Sequence, residues 1–230
     1  MKTDEKYFNV PIHLFSGFMD DSLNCLNNVF DYAIYSHSLK LEGTQAERFK
    51  AACKWYEVIP GNDNECIRNG KEQVVYVHKS TPKVGISKTM WFDFYKNDKS
   101  DFEKVCLLGF LAIKSILQNK PYCKIDNKFW LSRMDGNAKS INDFFELSET
   151  LKPYANEYQT VKIKTELRNN WGLTTYSRHT RGFYVSFDLT IEQLVLEAEK
   201  RRKSTIDKQY KQKENEAIKA ALQKLYSNTS

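Results

Sequence analysis

The chain has 230 residues, of which 41% are hydrophobic and 13% aromatic, and a formal charge of +6. That length buries a core in one large domain or two small ones, and the aromatic content excludes a disordered polypeptide. Residues 1–150 hold 20 Lys and Arg against 20 Asp and Glu, whereas residues 151–230 hold 15 against 9, so the surplus lies in the last third.

From Leu23, apolar positions recur at Leu26, Phe30, Ala33 and Ile34, with His37 on the same stripe, as on one face of a helix. Gly43 interrupts the pattern, and Thr44 with Glu47 has the form of a capping box opening a second helix through Phe49, Ala52, Cys53 and Tyr56. Pro60 to Asn64 reads as a loop, Asn69-Gly70 as a tight turn, and Val74 to Val77 as a strand. Pro82 to Gly85 reads as another connection. The aromatic run Met90 to Tyr95 is strand or helix, because its periodicity does not decide.

Ser100 with Glu103 opens a helix from Asp101 to Gln118. Its segment Val105 to Ile113 is apolar on every side and belongs at the centre of the fold. Pro121 to Ile125 reads as a short strand, and Asn127 to Met134 as a short helix ended by Asp135-Gly136. Ser140 with Asp143 is expected to open a helix carrying Ile141, Phe144, Phe145, Leu147 and Leu151, closing at Pro153. Asn156 then starts a cationic helix, Tyr158 to Trp171, stopped by Gly172. Thr174 to Phe187 forms a hairpin, and Thr190 with Gln193 caps a long C-terminal helix. Beyond Ile191, Leu194, Val195 and Ala198 the apolar spacing of that helix is too broken for a coiled coil, so it is expected to fray, or to firm up in a dimer.

In the cationic helix, Ile163, Leu167 and Trp171 fall at i, i+4 and i+8, a stripe that docks on a core. Lys162, Thr165, Glu166 and Asn169 lie partly away from it, and Lys164 with Arg168 forms an i, i+4 pair on a flank. These are side chains that reach phosphates and base edges. In the hairpin, Phe183, Val185 and Phe187 alternate toward the core, while Arg178, His179 and Arg181 sit near a turn relaxed by Gly182. An exposed arginine there reaches a phosphate or a minor groove. The competing explanation is that these cations only solvate a helix face and guard a sheet edge.

This order of helices followed by an arginine-tipped hairpin, over about residues 101–187, resembles the winged helix-turn-helix superfamily, in the layout of many bacterial regulators and plasmid or phage replication proteins. The resemblance implies double-stranded DNA as partner. Lys162, Lys164, Thr165, Arg168 and Asn169 would contact it from the helix, and Arg178, His179 and Arg181 from the wing. It further implies a transcription regulator or a replication initiator of a bacterium or mobile element. Pro121 to Asn137 departs from the layout as an extra short element, so the turn falls either at Gly136–Ser140 or at Pro153–Asn156. The second is preferred, because a reading helix over Ile141–Lys152 would set Asp143, Glu146 and Glu149 against phosphates.

The chain lacks GxxxxGK[ST], HExxH, GxSxG and GxGxxG patterns, and Asp20-Asp21 reads as a helix cap. No enzymatic activity, cofactor or metal is expected. Five cysteines with no CxxC spacing suggest free thiols in a reducing cytoplasm. The polar N-terminus lacks a signal-peptide core, and the longest apolar run, Val105 to Ile113, is too short for a membrane span. The expected class is mainly α with a small β component (α+β). Its parts are a helical or mixed N-terminal part (1–98) for oligomerisation or partner binding, a winged-helix-like part (99–188) and a charged C-terminal helix or tail (189–230). A homodimer is left open. The alternative function is a non-enzymatic interaction or structural accessory protein of a phage or mobile element, binding through Trp91 to Tyr95 and the C-terminal helix.

Overall fold

The computed structural model describes residues 5–77, 81–177 and 182–227, and is mainly helical with two small antiparallel sheets. Strand β1 (Tyr7–Pro11) leads into a short 3-10 turn, then α1 (Ser22–Ser38), α2 (Gln45–Tyr56) and α3 (Asp63–Val75). Strand β2 (Lys83–Ser87) returns to pair with β1, and α4 (Lys88–Lys96) follows directly. Then come α5 (Asp101–Leu117), β3 (Cys123–Ile125), α6 (Asn127–Met134), α7 (Glu157–Asn170), β4 (Thr174–Tyr176), β5 (Phe183–Ser186) and α8 (Ile191–Ser227). The second sheet has the order β3-β5-β4.

Helix α5 is the axis of the molecule. The capping box at Ser100 and Glu103 is formed in both directions, and all of Val105 to Ile113 except Phe110 is buried. One flank of α5 carries β2, and others carry α6 and α7. Buried residues from Phe8 to Val185 therefore belong to one continuous core. The predicted capping box of α2 is also present, and Asp126 and Asn156 cap α6 and α7 through their side chains.

Four expectations fail for physical reasons. Asn69-Gly70 is not a turn but lies inside α3. A Cβ at Gly70 would fall 2.5 Å from the Asp31 carbonyl oxygen of α1, and the Asn69 side-chain amide donates to Asp31 at 3.1 Å. Packing against α1 overrides the turn signal, and Val74 and Val75 complete the helix in place of a strand. Pro82 to Gly85 is largely β2, stabilised by a partner strand, Tyr7–Pro11, that shows no strong strand signal of its own. Residues 140–151 form no α-helix. The Asp143 and Glu146 carboxylates do close a capping box, but it supports only the 3-10 turn Phe144–Glu146. Beyond it Ser148 N–H donates to the Asp135 carboxylate, and the buried Arg133 holds the Ala138 carbonyl at 2.9 Å. Side chains of α6 thus satisfy the backbone that a helix would have used. Helix α8 extends to Ser227, well past its short apolar stripe.

The aromatic run resolves as α4. Trp91 is buried, its indole N–H donating to the Leu26 carbonyl, and Phe92 and Phe94 pack against the core. Only Tyr95 of the run is well exposed, stacked on Trp91 at 4.6 Å. Among the described residues no helix is long and apolar enough to cross a membrane, and no group of three or more His, Cys, Asp or Glu could hold a metal. All five cysteines are free thiols.

The α1–α3 approach gives a direct test. Gly70→Ala should destabilise the protein by about 2 kcal/mol or more, the usual order for a methyl forced into close-packed backbone. Urea denaturation would read this as a lower midpoint with an unchanged slope.

Candidate nucleic-acid interface

Helix α7 starts where the Asn156 side chain accepts from Gln159 N–H, and ends before Gly172, whose φ is +70°. Thr160, Ile163 and Leu167 are buried and dock it on the core, and Trp171 packs on Phe110 at 5.2 Å. The outer face is left bare. Tyr158 is 73% exposed and Val161 51%, with Lys162, Arg168 and Asn169 also exposed beside them. Thr165 is half-buried. Its hydroxyl donates to the Val161 carbonyl and accepts from Arg168 Nη2 at 2.8 Å, which holds the guanidinium along the outer face.

Lys164 and Arg168 do share a surface with the hairpin. A cleft of about 380 Å³ is lined by both cations, by Thr175, Ser177, Gly182 and Phe183 of the hairpin, and by Asn127 at the start of α6. Lys164 Nζ donates to Asn127 Oδ1 at 2.8 Å and lies 3.9 Å from the centre of the Phe183 ring. Burial, with a smaller push from the Arg168 charge, lowers its pKa to about 8. Lys162 does not enter the cleft and reaches the other way, over the Phe102 ring of α5 at 4.4 Å. No ion pair among the described residues involves Lys162, Lys164 or Arg168, in contrast to Lys88, Lys99 and Lys152, each bound to a carboxylate. Among the described residues a single acid, Glu157, lines the cleft.

Arg178, His179 and Arg181 lie outside the described residues. The strands on either side fix where the hairpin stands. β4 and β5 pair from Thr174–Ser186 to Tyr176–Tyr184, and Gly182 at φ +90° lies so close to β3 that a Cβ would meet the Ile125 carbonyl oxygen at 2.5 Å.

Tyr158 and Val161 are site candidates that polar patterning overlooks. They follow the spacing of Thr165 and Arg168 along the outer stripe, and an apolar residue on that stripe is the signal. Asn127 also joins the site, although nothing in the sequence links it to residues 37 positions away. The α-helix before α7 is α6, and both expected places for the turn fall within the connection between them. Residues 135–156 form one long connection, far longer than the three or four residues of a usual helix-turn-helix, and α6 pins it in place. No protein-family model, curated protein or solved structure matches this chain.

The buried lysine makes a signed prediction. Lys164 has a folded pKa near 8, below the ordinary value of 10.5, so between these values the unfolded chain binds more protons and stability rises with pH. Lys164→Met removes the cost of burying this charge. The variant should melt higher than wild type at pH 6.5, and the gap should narrow by pH 9.5. Thermal denaturation at the two pH values checks both points.

Proposed function

We propose that residues 101–187 form a winged helix-turn-helix unit that binds double-stranded DNA, with α7 as the groove-reading helix and the β4–β5 hairpin as the wing. The observation that carries this reading is the cleft between α7 and the hairpin, where Lys164 and Arg168 stand without carboxylate partners beside an uncovered helix face. Lys162 has Glu166 four residues on, whereas Lys164 and Arg168 are themselves four apart and of like charge. Here Arg168 is instead braced by Thr165, and Lys164 is kept in the cleft at the expense of its own hydration. An α-helix fits the major groove of B-DNA, where arginine and asparagine bond base edges and an aliphatic side chain can touch a thymine methyl.

The succession α5, α6, α7 and hairpin supports the same reading. The stretch expected to be an extra element supplies α6 and the strand β3 that completes the sheet. In this reading Arg168, Asn169 and Val161 face bases, Lys162 and Lys164 face phosphates, and Arg178, His179 and Arg181 extend from the wing. The process served is transcription regulation or replication initiation in a bacterium or mobile element.

Binding should be measured by fluorescence anisotropy on duplexes selected from fragmented genomic DNA, across a range of salt. Affinity should fall by about 0.9 log units per log unit of salt for each phosphate neutralised, and a flat profile would refute the reading. Arg168→Ala should weaken binding to the selected duplex by about 10-fold and relax the base preference at one position, in line with about 1–3 kcal/mol for a bidentate contact.

A further inference from the structure

The charge surplus of this protein resides in one rod. Residues 200–227 hold nine Lys and Arg against three Asp and Glu, which equals the whole excess of the chain, so residues 1–199 are neutral. The first turns of α8 are fastened to the outer face of the second sheet. Leu194 and Ala198 are buried, and the Tyr122 and Tyr176 hydroxyls donate to Glu197 and Glu199. From Arg201 to Lys219 every residue is exposed. At about 1.5 Å per residue, the stretch from Lys203 to Ser227 extends roughly 35 Å from the body.

The charges on this rod are ordered. Lys200, Ser204, Lys208, Lys211, Asn215 and Lys219 follow one another at intervals of three or four residues, so they share a face. Asp207 lies at the edge of that face, four residues before Lys211, and Glu214 and Glu216 lie to either side of it; among the described residues none of the three forms an ion pair with a lysine of the segment, and Glu216 accepts from Gln212 at 3.1 Å. Like charges stacked along a helix weaken it, so a surface built this way is stabilised when a polyanion neutralises it. Other cations stand where α8 meets the sheet. Lys124, Arg201 and Arg202 line a cleft of about 310 Å³ between the sheet and α8, together with Tyr176, Tyr184 and Glu199.

We infer that the projecting part of α8 is a second DNA-contacting surface, an arm whose lysine row follows phosphates beyond those touched by α7 and the wing. The inference rests on the DNA-binding reading above. A duplex fits better than an anionic membrane, because an interfacial helix needs a broad face of Trp, Phe and Leu, whereas the side opposite the lysines offers Ile206, Tyr210 and Ala217. Duplex DNA presents about one charge per 1.7 Å of axis, so a rod with several cations on one face meets a dense field of phosphates where it crosses the backbones.

The test is the full-length chain with Lys208→Gln, Lys211→Gln and Lys219→Gln combined, compared with wild type and with Arg168→Ala. Losing three phosphate contacts should make the plot of log affinity against log salt shallower by about 2.7, and should cost about 10-fold or more at low salt. Base preference should stay unchanged. Lengthening the duplex from about 12 to about 30 base pairs should strengthen wild type but not the triple variant, since about 3.4 Å per pair sets what the arm can reach. Circular dichroism should show the same helix content in both proteins. If wild type binds DNA and the triple variant matches it in affinity and slope, the arm is overturned and the α7–wing reading stands. If wild type binds no duplex, both fall. If it binds phosphatidylserine vesicles through the three lysines but no duplex, the arm serves a membrane and the inference is likewise overturned.

Discussion

The fully buried indole of Trp130 sets the geometry on which the site depends. Its N–H donates to the Gly109 carbonyl of α5 at 3.0 Å, and its ring meets Phe183 of β5 edge-on at 5.8 Å. Gly109 makes this possible, since a Cβ there would come within 3.1 Å of the indole and 3.3 Å of Ile163 on α7. One ring therefore fixes α5, α6, α7 and the hairpin at a common point, and Lys164 lies above both Trp130 and Phe183. The cleft between α7 and the hairpin is the outer consequence of this inner contact.

How much of this was legible in the sequence depended on the range of the interactions involved. Helices α1, α2, α5, α6 and α7 were readable because caps and apolar stripes are local: Thr44 with Glu47, Ser100 with Glu103, Asp126 and Asn156 each act within three residues. The alternation of Phe183 and Val185 likewise gave β5. What failed was decided across the chain. Gly70 answers to Asp31, β1 and β2 exist only as a pair, and the backbone of residues 138–148 is held by Arg133 and Asp135. Of the candidate contacts, Lys164 and Arg168 were rightly placed together, whereas Lys162 was drawn off by Phe102, whose position depends on how α5 and α7 cross.

Lys164 illustrates a conflict between holding a fold together and keeping a charge ready. A methionine would fill the same space without losing hydration, yet the chain places an ammonium against two aromatic faces and an amide. The rings return part of the lost hydration through their negative faces, which is why the group can be held there still mostly protonated near neutrality. The other lysines near the sheet cost less. Lys124 lies 5.9 Å from the Tyr184 ring on the side where α8 docks, and those from Lys203 to Lys219 are exposed. Positive charge is thus graded along the molecule, from half-buried and fixed in the cleft to exposed along α8 between Lys203 and Lys219.

The two ends of the polypeptide carry unequal responsibility for the interior. Since β2 lies on a flank of α5, removing everything ahead of Ser100 would leave the central helix wet along one side, and the later elements would lose the wall they lean on. At the other end, shortening α8 from its tip back toward Lys203 would uncover no buried side chain among those described. The tail can therefore change without disturbing the interior, while the leading segment is bound to the architecture behind it.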